Sequence, residues 1–249
     1  TCFAFSTSNR FKSFSIALAT SARAETDSLG MVGWFDKIGV GSGDREEPQS
    51  IEINKEKIFS GINFLSDRIK TLPIKLGDLS YLSEAYLSEC LDSDIFIVFG
   101  SSYLKGDLVN FLIKKKAINI HMGISPYYRG TDCNFWAVAD RNFHLVGATV
   151  HLLSKGVDSG EILFHSLPKH YENPFDFTMS SVKSVINNIC KLIKTKKIFK
   201  LNSKKQNKID EIRYTTKKNF DEKKIKLFKK IKKIKKITYD KSLYVNPQF

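Results

Sequence analysis

Cysteine is scarce in this sequence. Cys2, Cys90, Cys133 and Cys190 are the four, and no two stand at a Cys-x-x-Cys or zinc-finger spacing. A disulfide framework is therefore not indicated, and a reducing, cytoplasmic setting is expected. No cluster of His, Cys and Asp has metal-ligand spacing, so no metal is implied. No apolar run approaches the ~18 residues of a membrane span. There is no internal repeat, and the hydrophobic content of 42% with 12% aromatics excludes a disordered or fibrous chain. Acidic residues are few in one region only. Residues 183–249 hold 22 of the 40 Lys and Arg but 5 of the 26 Asp and Glu, a net +17 that leaves 1–182 at −3. A basic tail of this kind is a surface for nucleic acid or an anionic membrane, or simply a solvated lysine-rich helix.

The 249 residues suffice for one substantial core or a core with a small appendage. The chain starts with Thr1 rather than Met, which leaves room for residues in front. Residues 2–5 read as the end of a strand. The polar Ser6-Thr7-Ser8-Asn9 suits a turn, and 10–22 then read as an amphipathic helix with Phe11, Phe14, Ile16, Leu18 and Ala19 available for burial. The Ala22-Arg23-Ala24 within 14–24 mimics a signal-peptide cleavage site, but the apolar run before it is short and broken by polar residues. Residues 31–35 suit a strand, 39–50 a Gly-rich loop, and 58–69 a helix. Residues 94–100 (DIFIVFG) form the clearest buried strand. A helix over 104–115 follows, then strands at 117–121, 146–153 and 162–167. Residues 178–199 suit a helix. So do 217–237, with Ile225, Phe228, Ile231, Ile234 and Ile237 on one stripe and Asn219 with Glu222 as a capping box. Strands alternating with helices predict an α/β fold, a Rossmann-like, mostly parallel open sheet flanked by helices. Residues 1–200 are expected as the catalytic domain and 201–249 as a basic, mainly helical C-terminal extension. In such sheets chemistry gathers at the C-terminal ends of strands.

Two segments carry chemistry. In 117–130 (AINIHMGISPYYRG) alternation puts Asn119 and His121 on one face of a strand end, before a turn marked by Ser125-Pro126 and Arg129-Gly130. An amide NH2 and a protonated imidazole are two donors that can meet one developing oxyanion. The same pair can also be a structural bridge between loops. In 147–163 (GATVHLLSKGVDSGEIL) His151 lies on a strand and Asp158 follows seven positions later. A carboxylate beside a histidine can hold the ring protonated and move protons, although Asp before Ser159-Gly160 also suits an Asx turn.

Taken together, these motifs resemble the formyltransferases that use 10-formyltetrahydrofolate, a family that includes glycinamide ribonucleotide, methionyl-tRNA and amino-sugar formyltransferases. Asn119, His121, Pro126 and Gly130 fit the first part of the family pattern. Gly147, Thr149, His151, Asp158 and Gly160 fit the second. The resemblance covers about 95–165, and extends more faintly to the N-terminal elements and to 213–227. Gly123 stands where the family has Ser, and Ser125 where it has Leu. The resemblance implies formyl transfer to a primary amine, with Asn119 and His121 stabilising the oxyanion and Asp158 keeping His121 charged and relaying protons through water. It implies 10-formyltetrahydrofolate as co-substrate, bound by Tyr103, Leu104 and Lys105 and by Ser154, Lys155, Gly156 and Val157.

The acceptor is less defined. Ser6-Thr7-Ser8-Asn9 lacks the Gly-rich phosphate loop of glycinamide ribonucleotide enzymes. Residues beyond 200 are few for the C-terminal barrel of methionyl-tRNA enzymes, so tRNA is possible but not favoured. A nucleotide-linked amino sugar or another small amine is preferred. A formyltetrahydrofolate hydrolase, a non-catalytic folate-binding module and a membrane-surface role for the basic helix are the alternatives. The sequence leaves the oligomeric state open.

Overall fold

The five apolar residues Ile95–Phe99 are buried at every position, the mark of a strand covered on both faces. The computed structural model describes residues 2–5, 14–18, 69–72, 77–219 and 222–249, and for the first three of these segments it describes the backbone path alone. In chain order the elements are β1 Cys2–Phe5, β2 Phe14–Leu18, β3 Ile69–Leu72, α1 Glu84–Leu91, β4 Ile95–Phe99, α2 Gly106–Lys114, β5 Ile118–His121, β6 Tyr128–Gly130, α3 Cys133–Ala139, β7 Ala148–Leu152, β8 Ile162–Ser166, α4 Pro174–Lys194, β9 Arg213–Thr215 and α5 Glu222–Lys229. Seven strands form one sheet in the order β3-β1-β2-β4-β5-β7-β8, and β6 with β9 forms a separate parallel pair.

Period-two alternation sorts the core into two layers. Ile95, Ile97 and Phe99 of β4, with Ile118 and Ile120 of β5, join the larger cluster. That cluster also contains Phe135 and Trp136 of α3, Val185 and Ile189 of α4, and Phe228, Ile234 and Tyr244 from the C-terminal segment. Phe96 and Val98 face the other way, into a smaller cluster with Leu87 of α1 and Val109 and Leu112 of α2. Helices thus cover both faces of the α/β sheet.

The sheet is mixed rather than mostly parallel. Among the described residues β2-β4 and β4-β5 run parallel, while β1-β2, β1-β3, β5-β7 and β7-β8 run antiparallel. Helix α2 carries the chain back across the sheet between β4 and β5, and that crossover makes the pair parallel. The chain makes no such crossover after β5, and β7 and β8 form a hairpin, so the last two pairings are antiparallel.

Two further expectations are corrected. The segment read as a first helix over 10–22 contains β2 instead, paired in register with β4 from Phe14–Ile95 to Leu18–Phe99. The FSIAL run alternates at period two over five residues, and a sheet edge offering five partners outweighs a short helix-like pattern. The helix expected over 217–237 is there only as the eight residues of α5. Asn219 Oδ1 accepts from the N–H and hydroxyl of Thr216, which closes a turn in front of the helix. The segment 201–249, expected as a C-terminal extension, packs back on the core. It has an antiparallel bridge from Lys204 to Ile162, the β9 strand, and a parallel bridge from Gln248 to Ser166. The strand expected at 31–35 and the loop at 39–50 lie outside the described residues, as does most of the helix expected at 58–69; Ile69 itself opens β3.

Candidate active site

Strand β5 ends at His121, next to β4 on one side and β7 on the other. Asn119 and His121 alternate with the core residues Ile118 and Ile120, so both leave the apolar layer on the opposite face. Across the antiparallel ladder Asn119 stands opposite His151, and His121 opposite Thr149. Thr149 fixes the turn that follows. Its hydroxyl donates to the Gly123 carbonyl at 2.6 Å and accepts from the Ser125 N–H at 2.8 Å. The Ser125-Pro126 bond inside this turn is cis. His165 holds the turn from outside through its Nε2–H to the Ser125 carbonyl (2.8 Å), while its Nδ1 accepts from the Val245 N–H. Burial pushes the His165 ring down to about 4, consistent with this neutral form.

His121 is the centre of the site. Its Nδ1 lies 3.2 Å from Asp158 Oδ2 and its Nε2 donates to the Tyr128 carbonyl at 3.0 Å. A ring that gives a proton to a carboxylate on one side and to a carbonyl on the other is an imidazolium. Burial alone would lower its pKa, but the Asp158 charge, with help from Cys133, outweighs burial and holds it well above the ordinary histidine value. Asp158 shows the counterpart. Burial would raise its pKa, but the charge and hydrogen bond of His121 keep the carboxyl far below the usual range. Asp158 Oδ2 also accepts from the Gly130 N–H at 3.2 Å, and Oδ1 is 3.8 Å from His151 Nε2.

Asn119 Nδ2 donates to His151 Nε2 at 3.0 Å, and His151 Nδ1–H donates to the Leu152 carbonyl at 2.8 Å. His151 was not among the expected site residues, yet it is the group that orients Asn119. Its place two positions after Thr149, in register with Asn119, was the available signal. The sequence expectation of two donors aimed at one point is only partly realised. His121 has both N–H groups engaged and faces the cavity as a charge, while the Asn119 amide has a second hydrogen to offer.

Gly123, where the resembled family has Ser, has no room for a side chain. A Cβ there would lie 2.5 Å from the Cys133 Cβ and 2.6 Å from His121 Nε2. Cys133 occupies that space, with its thiol directed to the Gly130 carbonyl at 3.5 Å and its pKa pushed up by burial.

A cavity of about 790 Å³ opens in front of these residues, within the ~300–1,000 Å³ typical of small-molecule sites. Asn119, His121 and Asp158 line it, as do Tyr103, Leu104, Ser154, Gly156 and Val157. Its wall is apolar at Val98, Leu104, Val109 and Leu153, beside the loops that carry backbone groups at 100–102 and 154–157. Lys105 and Lys155 are exposed and do not line the cavity. They act through their backbones: the Lys105 N–H donates to Ser80 Oγ, and the Lys155 carbonyl accepts from the Tyr103 hydroxyl at 2.6 Å. The opposite wall comes from Thr131, Cys133 and Met179, and from Tyr214, Thr216 and Lys218 of the C-terminal segment, none of which was expected there. Among the described residues no group of three or more His, Cys, Asp or Glu is placed to hold a metal ion, and no helix is long and apolar enough to cross a membrane.

An α/β fold in which Asn119 and a buried His121 at a strand end meet a partly buried Asp158 from a loop is the class defined so far. No family model matches the chain. In sequence it is similar to a methionyl-tRNA formyltransferase of Synechococcus sp. (strain JA-3-3Ab), at 32% identity over 78 residues, 31% of this chain and 24% of that protein. The chain thus matches about a quarter of the length of that curated relative. In structure it is similar to the formyltransferase PseJ from Anoxybacillus kamchatkensis in complex with UDP-4,6-dideoxy-4-formamido-L-AltNAc and tetrahydrofolate (TM-score 0.41, 21% identity, covering 71% of this chain and 84% of that one). It is also similar to a 4-N formyltransferase from Francisella tularensis (TM-score 0.43, 22% identity, 69% and 74% covered). The resemblance read from the motifs is met by the curated relative.

Proposed function

We propose that this chain is an enzyme that transfers a formyl group from 10-formyltetrahydrofolate to a primary amine. The observation that carries the reading is the buried His121–Asp158 ion pair, 3.2 Å apart, beside Asn119 in one cavity. The folate supplies an activated formyl carbon whose oxygen gains negative charge when an amine attacks. Asn119 donates a hydrogen bond toward that oxygen, and the His121 imidazolium lowers the potential there at short range in a water-poor site. Asp158 keeps His121 charged and fixes its orientation. Its low basicity favours an electrostatic role over direct proton uptake: water takes the amine proton and returns one to N10 of the folate as the bond between the formyl carbon and N10 breaks and tetrahydrofolate leaves. Leu104, Ser154, Gly156 and Val157 border the pterin side, with Tyr103 bracing the loop at Lys155 and Lys105 anchoring the start of α2. Residues 201–249 complete the catalytic unit by supplying one wall.

The acceptor we favour is a nucleotide-linked amino sugar or another small amine. The methionyl-tRNA reading is kept because the curated sequence relative is a methionyl-tRNA formyltransferase. The test is tetrahydrofolate release from 10-formyltetrahydrofolate with amino-sugar nucleotides, glycinamide ribonucleotide and charged methionyl-tRNA, alongside a control lacking amine. Turnover with one acceptor, lowered ~10²–10³-fold in His121→Ala, is expected. Near-full turnover in that variant would remove His121 from the mechanism, and release without amine would make the chain a hydrolase.

A further inference from the structure

We infer that Gln206, 48 residues from Asp158 in the chain, is a positioning residue that sets the catalytic carboxylate. The inference rests on the proposed reaction for its kinetic part only. Gln206 Nε2 donates to the Asp158 carbonyl at 2.8 Å and to the Gly160 carbonyl at 2.7 Å. The two bonds bracket Ser159 and close over the backbone that carries the Asp158 side chain.

That backbone needs holding. Asp158 has φ +46°, in the left-handed region that a residue with a Cβ rarely adopts. The conformation directs Oδ2 to both His121 Nδ1 and the Gly130 N–H, each at 3.2 Å. A modest relaxation toward ordinary φ would swing the carboxylate off one or both. Gln206 serves as a double donor and nothing else: its Oε1 is buried and has no hydrogen-bond partner among the described residues. Leaving a buried acceptor unmatched is costly, and a side chain kept in spite of that is held for its NH2. Arg129 gives the preceding residue a matching hold, with Nη2 donating to the Val157 carbonyl at 2.6 Å and Nη1 to Glu211 at 2.9 Å. The carbonyls of Val157, Asp158 and Gly160 are thus all taken by side chains from outside the loop. The donor on Asp158 itself comes from the segment after α4.

The titration of His121 reads the position of Asp158 directly, because burial pushes the ring down and the nearby carboxylate pushes it up. The other titratable group against the ring is Cys133, with His165 further off behind the turn. The experiment follows the His121 imidazole by NMR across pH in the wild type, Gln206→Ala and Gln206→Met, with kcat and KM for formyl transfer measured on the same samples. The methionine keeps length and removes both donors without adding charge, so it separates hydrogen bonding from packing. In both variants the His121 pKa should fall by on the order of one unit, and kcat roughly tenfold at nearly unchanged folate KM. If Gln206→Met titrates like the wild type, or if either variant lowers melting temperature without moving His121, Gln206 is a packing residue and the inference fails. If the wild type transfers no formyl group to any acceptor, the proposed reaction falls, while the NMR titration still decides the role of Gln206.

Discussion

At the scale of single residues, the charge on His121 depends chiefly on Asp158. With Asp158 present the ring is held well above its ordinary pKa. Its contribution to stability is therefore complete below pH 6.5 and is lost as pH rises through the raised folded value. Asp158, whose folded pKa is depressed, contributes above its unfolded value near 3.9 and loses that contribution as pH falls through the folded one. The pair is thus strongest across the neutral range. Asp158→Asn removes the carboxylate and leaves burial in command, so His121 should titrate below 6.5 and be neutral at pH 7. The pH dependence of stability from His121 then reverses sign: the variant gains stability as pH rises toward 6.5. An NMR titration of His121 with urea unfolding at several pH values reads both effects. A ring still charged at pH 7 in Asp158→Asn would show that another group holds the proton. Asn119 and Asp158 were legible as residues because both sit in motifs with fixed spacing. Gln206 and Tyr214 were not, since each reaches the site across long stretches of chain and nothing local marks it.

At the scale of elements, legibility followed burial. Strands β4, β5, β7 and β8 were found within two residues because their apolar runs are buried and bounded by turns. Helix α4 begins four residues before the expected start. Asn173 caps it through Oδ1 to the N–H groups of Phe175 and Asp176, and Pro174 opens its first turn, signals passed over inside a polar stretch. The β6–β9 pair was missed altogether. Each strand has three residues, and each needs the other to exist. Its weak point is Gly130, at φ +91°. A Cβ there would lie 1.9 Å from the Thr215 carbonyl oxygen, and that carbonyl accepts from the Thr131 N–H at 2.9 Å. Gly130→Ala should part the two strands, costing about 2 kcal/mol or more from strain and lost pairing. It should also loosen the Gly130 N–H bond to Asp158. Hydrogen exchange at the Thr131 amide, compared with exchange in the body of the sheet, is the check. Unchanged protection there would mean the pair tolerates a side chain and is not what seats the C-terminal segment.

At the scale of the molecule, the lysine-rich C-terminal segment belongs to the core. Composition sets it apart sharply, with a net +17 over 183–249, and charge alone suggested an appendage. Its apolar residues nevertheless pack inward. Phe228 is 4% exposed and stacks on Phe135 of α3 with ring centroids 5.1 Å apart, and Ile234 is fully buried. The stripe of Ile225, Phe228, Ile231, Ile234 and Ile237 was read correctly as apolar but assigned to one long helix. Three-residue spacing also lets an irregular segment drop every third side chain into a groove, and the helix stops at Lys229. Phe228 and Ile234 face inward, so part of the apolar stripe is spent on the core, while Leu227 between the lysines stays exposed. Phe135 also lines the cavity, so this packing reaches the active site. Phe228→Ala should destabilise the whole protein by about 3 kcal/mol, as truncation of a buried aromatic does, and do so in a single cooperative transition shared by the sheet. A mobile tail would lose nothing on the same change. A second transition, or an unfolding midpoint equal to that of the wild type, would return the segment to the status of an extension.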